Sequence, residues 1–298
     1  MITIFSKIHF KEVCELLISA HKHDTLTVSL LQEKIFDDPD QTPAHKIVFM
    51  ENNMICGFMQ GVVRQIKGEN IGYIKLMAVK ENYRKKGIAT KMFHNLSETF
   101  AKQNVTKIRI YDTPLNYLQP GINPCYTPAV CFAQKLGFKH IGDAVNMTVC
   151  LEQDFSVETE IFNLKKENIE IVRAEVTDKE ELMTFVAQEW LLWLFEMEMT
   201  FLSNPVSLFI AKKDGKIKAF SAYDANNKGT AWFGPMGTHH DLRGKGIGTI
   251  LLKLCLNEMK KQGHKTATIP WVAPISFYSH FVKAEINTVF WRFEKIVS

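Results

Sequence analysis

Arg84-Lys85-Lys86-Gly87-Ile88-Ala89-Thr90 and Arg243-Gly244-Lys245-Gly246-Ile247-Gly248-Thr249 are near copies of each other, set a little over half the 298-residue chain apart. Each follows an apolar, strand-like run and opens a run with helical apolar spacing. The small residues Gly87 and Ala89, and Gly246 and Gly248, let the backbone approach a ligand with no Cβ in the way. A turn of this kind points N–H groups outward at a helix N-terminus, where they lack intrahelical partners and the helix dipole adds positive charge. A phosphate or pyrophosphate is the natural occupant. Arg84, Lys85, Lys86, Arg243 and Lys245 add full charges beside it. Thr90 and Thr249 sit early in the helices, within reach of a phosphate oxygen or an N-terminal N–H. A P-loop would need Gly-Lys followed directly by Ser or Thr, and a dinucleotide fingerprint would need three glycines in its own spacing. Neither pattern is met. One copy alone is equally compatible with a basic helix start in solvent; two copies in matching contexts favour a duplicated functional unit.

The length suits about two domains. A hydrophobic share of 46% with 23% charged residues is that of a globular protein, and the net charge of +4 fits a small anionic ligand but is too small to argue for nucleic acid. No window has the apolar length to span a bilayer, and the N-terminus lacks a signal-peptide layout, so a cytoplasmic protein is expected. The six cysteines lack paired metal spacing and read as free thiols, with Cys14, Cys131 and Cys255 in apolar helical patterns that suggest core positions.

Working outward from the first stretch, strands are expected at Ile2 to Phe5, Ile47 to Met50, Ile55 to Val63, Tyr73 to Val79 and Lys107 to Tyr111, with helices at Phe10 to Ala20 and Leu30 to Phe36. The helix after the turn carries Met92, Phe93, Leu96 and Phe100 on one face. Thr113 to Pro128 is a proline-rich loop, of a length that is often functional. A short helix from Ala129 ends at Gly137, and Phe138 to Val149 reads as two final strands broken near Gly142-Asp143. The charged stretch Glu152 to Glu167 reads as a linker, with the boundary near Glu160.

Beyond it, Ile169 to Arg173 is a strand and Asp178 a helix cap. Trp190-Leu191-Leu192-Trp193-Leu194-Phe195 is apolar all round, either a buried helix or the lining of a ligand tunnel; apolar runs usually mean core, so burial is expected. Leu208 to Ala211 and Ala219 to Tyr223 form a hairpin around Asp214-Gly215. Trp232 to Thr238 leads into the second turn, Ala267 to Trp271 is the next strand, and a helix from Pro274 carries Phe277 and Tyr278. Ile286 to Phe293 is too short for two strands, which leaves this copy truncated or completed by the other half.

Each half resembles the GNAT-type (Gcn5-related) N-acetyltransferases, whose acetyl-CoA motif is Arg or Gln, two residues, Gly, one residue, Gly or Ala. Arg84-x-x-Gly87-x-Ala89 and Arg243-x-x-Gly246-x-Gly248 both fit. Met77-Ala78-Val79 matches the strand that grips the pantetheine arm and acetyl carbonyl in that family, and Met236-Gly237-Thr238 corresponds in the second copy. Lys135-Leu136-Gly137-Phe138 resembles the element after the family's fourth helix, and Phe233-Gly234-Pro235-Met236-Gly237 is similar to tandem bacterial members.

The resemblance implies an α/β (α+β) fold of two tandem domains, residues 1–155 and 156–298, each a mixed, mostly antiparallel central sheet flanked by helices. It also implies acetyl-CoA (coenzyme A) as donor, held by both turns and both strands, and a primary amine on a small molecule or peptide as acceptor. Metal, nucleic acid and membrane have no part in it. The sequence leaves the oligomeric state open, a homodimer included. Tyr278 matches the family's tyrosine that serves the departing thiolate. The first half has Phe132-Ala133 in that region, with Tyr126 as a substitute, so catalysis is expected in the second half. No carboxylate stands before either motif as general base. His239 and His240 are candidates for that role or neighbours of the phosphates. Glu196 and Glu198 read as a solvated helix face. The competing reading is a non-catalytic acyl-CoA-binding or regulatory module.

Overall fold

The structure, a computed structural model, describes residues 1–297. The first half runs β1 (Ile2–Ile4), α1 (Phe10–Ala20), α2 (Val28–Phe36), β2 (Lys46–Glu51), β3 (Met54–Ile66), β4 (Glu69–Val79), α3 (Ile88–Ala101), β5 (Lys107–Ile110), α4 (Thr127–Lys135) and β6 (Lys139–Cys150). The second runs α5 (Glu158–Lys165), β7 (Ile169–Arg173), α6 (Lys179–Glu189), α7 (Leu194–Thr200), β8 (Leu208–Lys213), β9 (Lys216–Tyr223), β10 (Phe233–Thr238), α8 (Ile247–Lys261), β11 (Thr266–Ile269), α9 (Ile275–Val282) and β12 (Glu285–Ile296). No helix among the described residues is long and apolar enough to cross a membrane.

The chain folds into two compact units. One is Met1–Ala144 together with the chain from Val289 on, and the other is Val145–Thr288. In the first, β1, β2, β3 and β4 pair antiparallel in order, β4 pairs parallel with β5, and β5 pairs antiparallel with β12. Side-chain alternation gives the sheet two apolar faces. Phe58 and Leu76 pack with Val13, Leu17, Leu31 and Ile35 of α1 and α2. Met59 and Ile74 pack on the other face with Met92, Phe93, Leu96 and Phe100 of α3. In the second unit β7, β8, β9 and β10 repeat the antiparallel order, and a parallel bridge from Trp232 to Thr268 leads to β11. Ile210 and Phe220 pack with Leu182, Val186 and Met197 on one face, while α8 and α9 cover the other.

The units exchange their last strands. Glu294, Lys295 and Ile296 at the C-terminus pair with Arg109, Ile108 and Lys107 in the first unit. Met147 to Cys150, from the first half of the sequence, pairs with β11 in the second unit. The returning strand is tied in by Arg109–Glu294 at 2.7 Å and Arg292–Asp112 at 3.0 Å. Burial pushes the Asp112 carboxyl up to about 7, against the pull of Arg292 and Arg109. Ile122 of the proline-rich loop exchanges main-chain hydrogen bonds with Trp291 at 2.8 and 2.9 Å.

Several expectations are corrected here. β6 is one unbroken strand through Gly142, because its two halves serve different units. The compact units divide at Ala144 and again at Thr288. The supposed linker holds α5, anchored by buried Leu164. Asp178 stands at the N-cap of α6 as expected but makes no side-chain cap hydrogen bond; its carboxylate accepts from the Glu175 N–H and pairs with Lys212. Cys14 and Cys255 are buried as expected, but Cys131 is exposed.

Candidate active site

The two glycine-bearing turns share one backbone path. Arg84 and Arg243 are extended, with φ −67° and −65°. Lys85 and Gly244 then take positive φ, +60° and +81°. Gly87 and Gly246 cap α3 and α8 at φ +78° each. The left-handed region is strained for residues with a Cβ, so Lys85 holds at a cost what Gly244 adopts freely. No side chain caps either helix, which leaves the first-turn N–H groups facing outward. Both turns are exposed, and a Cβ added at Gly87 or Gly246 would meet nothing within 4 Å. A phosphate has room at each.

The two arginines do something the sequence does not reveal. Arg84 Nε donates to the Val79 carbonyl at 3.0 Å, and Arg243 Nε donates to the Thr238 carbonyl at 3.2 Å. Each fastens its turn to the last residue of the preceding strand. The lysines are not all free charges either. Lys86 lies over the Tyr83 ring at 4.9 Å, and Lys245 is paired with Glu167, whose carboxyl it holds below the usual range.

Beside each turn lies a strand edge without a partner. β4 pairs with β5 only from Ile71 to Ile74, so Met77, Ala78 and Val79 are open on that side. β10 keeps β9 on one side, and on the other its only bridge precedes it, at Trp232. Met236, Gly237 and Thr238 thus present one unpaired edge, among the described residues.

In the second unit three elements converge at this edge. A Cβ on Gly248, at the start of α8, would lie 3.7 Å from Phe277 Cζ, 3.8 Å from Thr238 Oγ1 and 3.9 Å from Met236 Cε. Tyr278 follows Phe277 on α9 and stands edge-on to Phe233 of β10, ring centroids 6.1 Å apart. It is buried, which pushes its phenol up to about 12, and its hydroxyl has no partner among the described residues. The phenol therefore stays protonated at neutral pH and is free to donate.

Comparison with known proteins matches residues 169–280 to the profile described as Acetyltransferase (GNAT) family and residues 43–140 to that described as Acetyltransferase (GNAT) domain. The two matches together take in more than half of the chain. The chain belongs to the GNAT acetyltransferase family. No curated protein matches its sequence. Among solved structures it is similar to a GCN5-related glucosamine N-acetyltransferase region of a fungal multi-domain GH3 β-N-acetylglucosaminidase, at 18% identity and TM-score 0.83; it covers 99% of this chain and 38% of the fungal one. It is also similar to a GCN5-related N-acetyltransferase from Sphaerobacter thermophilus (13% identity, TM-score 0.72, 99% and 95% of the two chains). A tandem GNAT protein from the clavulanic acid biosynthesis pathway is similar to the same degree (13%, 0.72, 99% and 98%). At these identities the likeness is one of fold, and it confirms two GNAT units in tandem.

Within the first GNAT unit the phenols are engaged. Tyr126 donates to Asp24 and accepts the His23 N–H at 2.8 Å; burial and then Asp24 raise its pKa. Tyr111, at the end of β5, is buried beside Met77, with its hydroxyl 3.4 Å from the Met77 carbonyl and 3.1 Å from His21 Nε2. Burial lowers the His21 pKa, and its Nδ1 faces the Leu17 carbonyl at 2.9 Å, while the Tyr111 hydroxyl donates to the Met77 carbonyl. No sequence signal singles out this pair, since a tyrosine ending a strand and a histidine ending a helix are common.

In the second GNAT unit the apolar run is not buried as expected. Leu191 is 66% and Leu192 45% exposed. Trp190 and Trp193 stack at 5.9 Å and lie against Phe220. Trp190 also packs over the sheet face at Gly237: a Cβ there would lie 2.8 Å from Phe220 Cε1 and 3.0 Å from Trp190 Cζ2. Gly237→Ala is therefore expected to cost about 1–3 kcal/mol by overpacking, read from urea unfolding. Glu196, expected on a solvated face, is buried, while Glu198 is exposed and pairs with Lys179 at 2.9 Å.

Proposed function

We propose that the chain is an acetyl-CoA-dependent N-acetyltransferase that acetylates a primary amine by direct attack in a ternary complex, with catalysis in the second unit. The observation behind this reading is the convergence of the Gly246 turn, the free edge of β10 and the unpartnered Tyr278 phenol. In the first unit both nearby phenols are occupied, which favours an acyl-CoA-binding or structural role there. A cytoplasmic setting belongs to this reading and is supported by the free thiols.

The chemistry follows from these parts. The diphosphate of the donor sits on the outward N–H groups of Gly246, Ile247, Gly248 and Thr249, with Arg243, Gly244 and Lys245 alongside. Its pantetheine arm runs along Met236, Gly237 and Thr238, and the free edge offers N–H donors to the oxyanion that forms when the amine attacks the thioester carbon. The amine must first lose its proton, held at about 10.4 when it resembles lysine. The C–S bond then breaks and leaves a thiolate. Full proton transfer from a phenol at about 12 to a thiolate near 8.5 is uphill by about 5 kcal/mol. Tyr278 therefore acts chiefly as a hydrogen-bond donor to the departing sulfur. The equivalent cradle in the first unit, Gly87, Ile88, Ala89 and Thr90 with Arg84, Lys85 and Lys86, and the edge Met77, Ala78 and Val79, is proposed to bind the same cofactor.

Gly246→Val tests the turn. A β-branched residue at positive φ, filling space meant for a phosphate, is expected to weaken acetyl-CoA binding at the second unit at least about 10-fold. Calorimetric stoichiometry should fall from two sites to one. An unchanged isotherm would remove the turn from the binding site.

A further inference from the structure

We propose that Glu189, His239 and His240, with Asp241 paired to both rings, form a binding site for a divalent transition-metal ion of the zinc type, outside the acetyl-transfer chemistry. Glu189 ends α6, while His239 directly follows β10 and begins the tight turn His240–Leu242. One ligand atom each from Glu189, His239 and His240 lies within 4.8 Å of the others, the one such grouping among the described residues. Asp241 lies alongside as an ion-pair partner of both rings, its Oδ2 3.1 Å from His239 Nδ1 and its Oδ1 2.9 Å from His240 Nε2. Its own N–H donates to His239 Nδ1 at 3.4 Å, a contact that a metal at that nitrogen would displace.

The site is held from behind. The His239 N–H donates to the Lys218 carbonyl at 2.8 Å, and its ring packs near Phe185, centroids 6.3 Å apart. Its side chain is 16% exposed, whereas that of His240 is 69% exposed, so a cation can enter from solvent while one ligand stays fixed. Lys218 Nζ lies 3.9 Å from Asp241 Oδ2 and is the positive charge a metal would compete with.

Two imidazoles with one carboxylate select a borderline ion such as zinc or cobalt over magnesium or calcium, which prefer all-oxygen shells. Three protein ligands leave the fourth position of a tetrahedron to water. Such an ion would fasten the end of α6 to the segment leading into Arg243.

Full-length protein stripped with a chelator is titrated with zinc alone, by calorimetry and by competition with a chromophoric chelator. One site of micromolar affinity or tighter is expected. His240→Ala and His239→Ala should each weaken it at least about 10-fold, and Asp241→Asn likewise. His140→Ala, a histidine paired with Asp143 in the first unit, should leave it unchanged. Cobalt should give the intense visible bands of a four-coordinate ion, lost in His240→Ala. Metal-free melting curves of the variants, compared with wild type, separate a lost ligand from a lost fold, and the exposed His240 is the variant least prone to the second. Equal zinc affinity in wild type and His240→Ala would overturn the proposal. So would binding lost only on replacing the exposed thiols Cys125, Cys131 and Cys150. Neither result touches the acetyl-transfer reading, which these titrations do not use.

Discussion

Tyr278→Phe is expected to lower kcat about 100-fold, the loss typical of one donor to charge that develops only in the transition state. The substitution keeps the ring against Phe233 and removes only the hydroxyl, so acetyl-CoA affinity should change little. That split between turnover and binding is the diagnostic. Since burial holds the phenol at about 12, the wild-type protein should show no loss of rate from its ionisation up to pH 10. Stopped assays of thiol release with a panel of small amines, amino sugars and peptides would measure both parameters. Unchanged kcat would take Tyr278 out of the mechanism. Tight acetyl-CoA binding without thiol release from any amine would favour a binding module instead.

Asp38→Ala should destabilise the first unit by about 3–5 kcal/mol, the usual cost of stripping one partner from a buried ion cluster. Arg64 grips Asp38 through both carboxylate oxygens, at 2.8 and 2.7 Å, and Lys75 donates to the same carboxylate. All three side chains are at most 1% exposed. Arg64 also donates to the Pro114 carbonyl at 3.0 Å, and Lys75 to Asn116, so the cluster pins the start of the proline-rich loop. Burial alone would raise the Asp38 carboxyl; Lys75 and Arg64 overcome it and hold it at about 2. Burial drives Lys75 down to about 7, with Asp38 opposing. A carboxyl whose folded value lies below its unfolded value near 3.9 contributes fully above about pH 4 and ever less as pH falls toward 2. The gap between wild type and variant should therefore close in that window. Urea unfolding with hydrogen exchange read on β3 and β4 would show it, and a gap that persisted at pH 2 would mean the carboxylate charge is not its source.

How far the sequence reveals this molecule depends on the range of the forces involved. The turns at Gly87 and Gly246 are legible because positive φ, a helix start and basic flanks are all local requirements. The faces of α1 and α3 are legible because burial imposes its period on neighbouring residues. Strand exchange is legible only as a shortage, Ile286 to Phe293 being too short for two strands, since nothing within Glu285–Ile296 names Lys107 to Arg109 as its partner. The run from Trp190 misleads for a related reason: a continuous apolar stretch has no period from which to read a solvent side. Arg64 and Lys75 misleadingly resemble surface residues, because the carboxylate that lets them stay inside lies far along the chain. The hydrogen bonds from Arg84 and Arg243 to the carbonyls of Val79 and Thr238 depend on side-chain direction, which spacing does not encode.

The exchanged strands carry a consequence for biogenesis. On the ribosome the first unit cannot close its sheet when its own half has emerged, because Glu294 to Ile296, which lie beside β5, follow only after the second unit has been made. Until they emerge that flank of β5 stays bare, although every residue of the proposed cofactor cradle is already present. Cutting the gene at its midpoint would likewise yield two fragments that each lack a strand.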